Sequence, residues 1–167
     1  MNELIEKRHS IRKYRRDKSV TREQIRLLLE AAMFAPSACN SRPWEFIAIT
    51  KQEILDEIAR IHPFAAMCAT ATAAIVVVAI PQEGKPADYF PQDCAAATQN
   101  ILLEAASMGL GSCWCGVYPK TELITKIRAL LRVPEPKIPF NVIALGTPDE
   151  TPVPRGFFDE SKVTYIE

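Results

Sequence analysis

With 167 residues the chain is long enough for one domain with a substantial core and too short for two full ones. Twenty acidic side chains balance twenty basic ones and 48% of the residues are hydrophobic, whereas a general nucleic-acid binder would be more basic. The first residues carry Glu3 and Glu6 and no apolar run, and the uncharged stretch from Ala65 to Ile80 is broken by Thr70 and Thr72, short of the roughly 20 apolar residues a membrane span needs. A soluble cytoplasmic protein is the expectation.

Residues 3–8 can form a short helix ending in a basic cluster, with seven Lys or Arg among the twelve positions from Lys7 to Lys18. Thr21 and Gln24 then make a capping-box pattern ahead of Ile25, Leu28, Leu29, Ala32 and Met33 at helical spacing. That helix must stop near Pro36, and Ala35 to Pro43 is loop chemistry, two prolines among small polar residues. Trp44 to Thr50 alternates and is rich in aromatic and β-branched residues, the pattern of a strand. Thr50 with Glu53 suggests a second capping box, opening a helix whose stripe is Ile54, Ile58 and Ile61.

Ala74 to Ile80 is apolar without alternation, as expected of a strand covered on both faces. Pro91 can open a long helix to about Met108, apolar nearly all round, which suggests a central helix shared with a second subunit. Gly111 to Tyr118 reads as a short strand, Thr121 as the start of a helix bearing Ile124, Ile127, Leu130 and Leu131, and Phe140 to Leu145 as a core strand closed by Gly146. In the tail, Lys162 to Ile166 could add a strand at a sheet edge, a partner's included. The order of elements predicts a single α+β domain over 1–167, a small mixed sheet flanked by helices, with 147–167 as a C-terminal arm.

The chemistry-bearing motifs are few. Gly109-Leu110-Gly111 follows a helix and has Trp114 at the third glycine position, so it is no dinucleotide fingerprint, and neither a P-loop nor a Gly-x-Ser-x-Gly elbow occurs. Two histidines supply neither a catalytic triad nor a histidine-rich metal site, and Cys113-Trp114-Cys115 lacks the second ligand pair that zinc requires. Five cysteines are an odd set without the spacing of a secreted disulfide framework. The basic cluster remains open to three readings: a solvated face, a nucleic-acid patch, or a site for one small multiply charged ligand, since guanidinium groups bind phosphate through paired hydrogen bonds.

Taken together, Arg8-His9-Ser10-Ile11-Arg12, Pro36 to Trp44, Gln92 to Leu103 and Gly109-Leu110-Gly111-Ser112 resemble the FMN-dependent nitroreductase family in its short form, with Gly146 to Glu150 similar to its turn before the C-terminal arm. The resemblance implies an α+β homodimer with an exchanged arm and two interface FMN sites, passing a hydride from NAD(P)H to a nitroaromatic, a quinone or another electrophile by ping-pong kinetics. It implies that Arg8, His9, Ser10 and Arg12 hold the phosphate and flavin edge, that Pro36, Ser37, Ala38 and Asn40 reach the flavin of the partner subunit, and that Trp114, Cys115 and Gly116 lie along its reactive edge. Arg155 is the position that matches the basic residue of the arm, where Phe157 stands in place of the family's usual Arg. Arg42 stands where the family commonly has Gln. No side chain is implied as a catalytic acid and no metal is implied. The same resemblance also admits reductive dehalogenation, flavin turnover or non-catalytic flavin binding, while Cys113 and Cys115 leave a thiol redox protein as a further class.

Overall fold

The structure is a computed structural model that describes residues 1–84, 86–153 and 156–167. Its centre is β5 (Ile138–Pro148), the longest strand. One edge of β5 pairs with β3 (Ala73–Ala79), which pairs in turn with β2 (Trp44–Ile49). The other edge takes β4 (Gly111–Gly116), and the two-residue β1 (Tyr14–Arg15) pairs with the last residues of β5, Thr147 and Pro148. The α+β architecture is as expected; every ladder is antiparallel, and among the described residues the parallel component of the expected mixed sheet is the single bridge between Ser10 and Ser112.

All seven residues of β3 are buried because helices cover both faces of the sheet. The two-residue period sends Ala74, Val76, Val78, Val142 and Ala144 into a core with Leu55 and Ile58 of α3 (Gln52–Ile61) and Ile127 of α5 (Thr121–Leu131). Ile75, Val77, Ile143 and Leu145 enter the opposite core, with Leu28 and Ala32 of α2 (Arg22–Met33) and Ala97 and Ile101 of α4 (Phe90–Ser107). The short α1 (Glu3–Lys7) precedes the basic cluster.

The capping box of α2 is present, Thr21 and Gln24 each satisfying the other's backbone amide. The second expected box is absent: Lys51 is the cap of α3 and makes no side-chain bond, so burial of Leu55 and Ile58 rather than a cap sets its start. β5 also runs through Pro139 and Gly146, where shorter bounds are expected from sequence. Val78 opposes Pro139 and Val77 opposes Asn141, so Phe140 is the extra residue of a bulge that accommodates an imino acid with no N–H to give. In the tail, residues 160–162 form a 3-10 turn, Tyr165 and Ile166 are exposed, and among the described residues Lys162 to Ile166 pair with no strand, so within one chain the expected edge strand is not formed. Among the described residues no helix is long and apolar enough to cross a membrane.

Candidate functional site

Two glycines let the Arg8 to Arg12 segment lie on the sheet. A Cβ at Gly111 would come within 2.8 Å of the Ile11 side chain, and one at Gly146 within 2.9 Å of the Tyr14 ring. Ile11 and Tyr14 are therefore buried anchors, 5% and 4% exposed, on either side of Arg12. The Ile11 amide donates to the Ser112 carbonyl at 2.9 Å, and the Tyr14 hydroxyl donates to the Ile11 carbonyl at 2.6 Å. Burial, and then the neighbouring Cys113, pushes the Tyr14 hydroxyl well above its ordinary range, so it stays a donor.

Between these anchors Arg8, His9, Ser10 and Arg12 line a cleft of about 380 Å³ together with Glu150, Thr151, Pro152 and Val153. Neither guanidinium takes part in an ion pair among the described residues; Arg12 reaches only the Ser10 carbonyl at 3.5 Å. Glu150 spends its carboxylate on backbone, accepting from the amides of Arg12 and, at 3.1 Å, Lys13. It fixes the motif and leaves the cationic heads free. Sequence reasoning placed Glu150 in the turn before the arm without giving it this role.

β4 brings the third group of predicted residues beside this cleft. Its Cys113 and Cys115 side chains turn into the core, 3% and 2% exposed, while Trp114 and Gly116 face outward. Cys115 can thus offer a ligand backbone contact at most. The two thiols interact: hydrogen bonding pulls Cys113 down and pushes Cys115 up, with Arg12 adding to the fall at Cys113. Among the described residues no group of His, Cys, Asp or Glu could hold a metal ion. Because Ser112 turns its carbonyl away from β5 to meet Ile11, the alternation of an antiparallel ladder turns the N–H and C=O of Trp114 and Gly116 the same way. This edge of β4 offers amide donors next to two unpaired guanidinium groups.

Pro36, Ser37, Ala38 and Asn40 lie elsewhere. Ala38 to Asn40 form a 3-10 turn, and Cys39, Asn40 and Arg42 have φ of 52°, 51° and 48°, a left-handed conformation that strains non-glycine residues. Side chains hold the loop in that shape. Ser37 Oγ accepts from the Arg42 amide at 2.9 Å, Asn40 Oδ1 from Arg42 Nε at 3.1 Å, and Asp93 Oδ1 from the Ala38 amide at 3.0 Å. Asp93 is a buried acid on α4 whose second oxygen has no partner among the described residues, and it was missed as a site residue although it stands in the Gln92 to Leu103 motif. Asn40 and Arg42 line a second cleft, of about 720 Å³, with Leu29, Met33, Phe34 and Ala35. Asn40 thus lines one cleft and Arg8, His9, Ser10 and Arg12 another, and Arg155 lies outside the described residues.

The family model described as the nitroreductase family matches residues 5–73 and 61–147. A protein of Methanothermobacter thermautotrophicus, provisionally named NADH dehydrogenase/NAD(P)H nitroreductase, is 45% identical over 161 residues, 96% of this chain and 84% of that one. Among solved structures, an FMN-dependent nitroreductase from Clostridium difficile superposes with a TM-score of 0.91 at 31% identity, covering 100% of this chain and 99% of the other. A provisionally named nitroreductase from Desulfovibrio desulfuricans, solved in complex with FMN, gives 0.80 at 29% identity over 99% and 96% of the two chains.

Proposed function

The chain belongs to the nitroreductase family, and we propose that it is an NAD(P)H-dependent oxidoreductase using FMN, assembled as a homodimer with the cofactor held between subunits. The observation that carries this reading is the pair of guanidinium groups, Arg8 and Arg12, without carboxylate partners among the described residues, beside an open row of β4 amides. A solvated face would leave its charges diffuse; here Gly111 and Gly146 draw the segment onto the sheet and Glu150 pins it. Such a donor set suits a phosphate and a ring that gains negative charge.

Bound FMN would supply the redox chemistry, accepting a hydride from NAD(P)H and passing electrons to a nitroaromatic, a quinone or a similar electrophile. The chain's own residues bind and orient. Arg8, His9 and Ser10 would hold the phosphate end, with Arg155 of the arm as the remaining candidate. Arg12 would set a cation where reduction places negative charge. The N–H groups of Trp114 and Gly116 would meet the ring's polar edge, with the Cys115 backbone between them, and the Trp114 indole would shield that edge from water. No side chain is required as an acid, since the acceptor can take its proton from water, and the two substrates use one face in turn, giving ping-pong kinetics.

Pro36, Ser37, Ala38 and Asn40 would complete the site of the opposite subunit. The different cleft that Asn40 lines supports a composite site, as do the exposed Met33 and Phe34 at the C-terminal end of α2 and Phe157 and Phe158 in the arm that would cross to the partner. A complementation experiment tests this. Arg12→Ala and Asn40→Ala chains are each weak alone, and mixing them under subunit exchange restores activity, because one hybrid site carries neither substitution. Absence of any recovery, with hybrids shown by mass spectrometry, would confine the site to one chain.

A further inference from the structure

His62, between α3 and Pro63, is 1% exposed and belongs to none of the motifs above. Its Nδ1 lies 3.1 Å from the Phe64 amide, a group that can only donate, so Nδ1 is the acceptor and the proton of the neutral ring sits on Nε2. Nε2 lies 2.9 Å from the Gly116 carbonyl oxygen, which needs that proton. Both contacts thus demand the same tautomer. Cys115 Sγ donates to the Phe64 carbonyl at 3.4 Å, tying the same turn to the same strand a second time.

We propose that His62 is a positioning residue of the flavin site, its Nε2–H holding the Gly116 carbonyl and thereby fixing the backbone edge that the flavin meets. The inference rests on the function proposed above. On the outer edge of β4 the Ser112 carbonyl is taken by Ile11 and the Gly116 carbonyl by His62, so the acceptors flanking Trp114 are engaged and the amides are left to a ligand. Without the imidazole N–H, the Gly116 carbonyl is an orphaned acceptor beside the ring, its negative end opposing the charge that reduction adds. Hydride transfer slows even where the cofactor still binds.

The test compares FMN-loaded wild type, His62→Gln, which keeps a side-chain N–H donor, His62→Met, which fills space without one, and Ile127→Ala, which loosens the same core away from β4. Flavin reduction by NADPH is followed in single turnover. His62→Met is expected to slow it roughly tenfold, the effect of one lost hydrogen bond, and to shift the flavin absorption bands. His62→Gln stays within about twofold of wild type, again on the scale of one hydrogen bond, and Ile127→Ala leaves rate and bands unchanged. Nitrogen-15 histidine spectra of the wild type show the Nε2-protonated ring whether or not any variant folds. An Nδ1-protonated ring, His62→Met reducing its flavin at the wild-type rate, or an equal slowing in Ile127→Ala overturns the role of His62. Failure of the wild type to bind FMN would overturn the proposed function itself, a result none of the variant comparisons produces.

Discussion

Replacing Gly116 by Ala separates what the fold needs from what the cofactor needs. A Cβ built at Gly116 meets no atom within 4 Å, the residue lies in a strand, and its φ is outside the left-handed region, so the chain alone gives no steric reason for glycine there. Removing backbone freedom from the unfolded state should then stabilise the cofactor-free protein by about 0.4–1 kcal/mol. For a chain of this size that raises Tm by about 1–4 °C. If flavin lies against the outer edge of β4, the same methyl intrudes on the ring, and overpacking of about 1–3 kcal/mol weakens Kd for FMN about 5- to 150-fold. Flavin fluorescence quenching and a thermal melt on one sample read both quantities. Stability held or raised while FMN affinity falls is the expected pair of results. An unchanged Kd would refute the placement of Gly116 at the flavin.

Gly111→Ala should behave differently, since its Cβ would strike Ile11 at 2.8 Å; thermal unfolding should show a loss of about 1–3 kcal/mol, with weaker FMN binding as the anchored motif shifts. Arg12→Ala removes an unpaired cation and should weaken FMN binding by about 1.5–3 kcal/mol, with a more negative flavin potential, measured by dye-linked reduction. Burial pushes the Cys68 and Cys94 thiols from 9.0 up to about 12, Asp93 adding to the rise at Cys94. A raised acid is neutral in the fold, so this stability is whole below pH 9.0 and lost as pH rises towards about 12; denaturant titrations should show that decline, less steep in Cys68→Ala. Of the five free cysteines only Cys39 is exposed on the single chain, and it lies in the loop proposed to reach the partner's flavin, so bound FMN should slow its reaction with a colorimetric reagent while the other four react only on unfolding.

The sequence made most of the fold legible because burial dictates it locally. Unbroken apolar character marked β3, helical spacing marked α2, and both strands of the main ladder appeared within a few residues of their bounds. What stayed hidden depends on contacts between distant segments. The two-residue β1 has no pattern of its own and exists because Gly146 admits Tyr14. The bulge at Phe140 is invisible without its partner strand. The same holds for the site: Arg8, Ser10 and Arg12 were readable as a charge cluster with family spacing, whereas Glu150, 138 residues from Arg12, acts through backbone amides. His62 belongs to no motif and Asp93 stands in one without a role of its own; burial beside a particular carbonyl or amide is what distinguishes them.

Whether this chain holds a flavin that NAD(P)H can reduce is read from the visible spectrum of the purified protein reconstituted with FMN. A bound flavin spectrum at one cofactor per chain, anaerobic bleaching on addition of NADH or NADPH, and return of the colour when a quinone or nitroaromatic is added are the expected results. Protein that takes up no FMN, or whose bound flavin keeps its colour in excess NADH and NADPH, would contradict the proposed function.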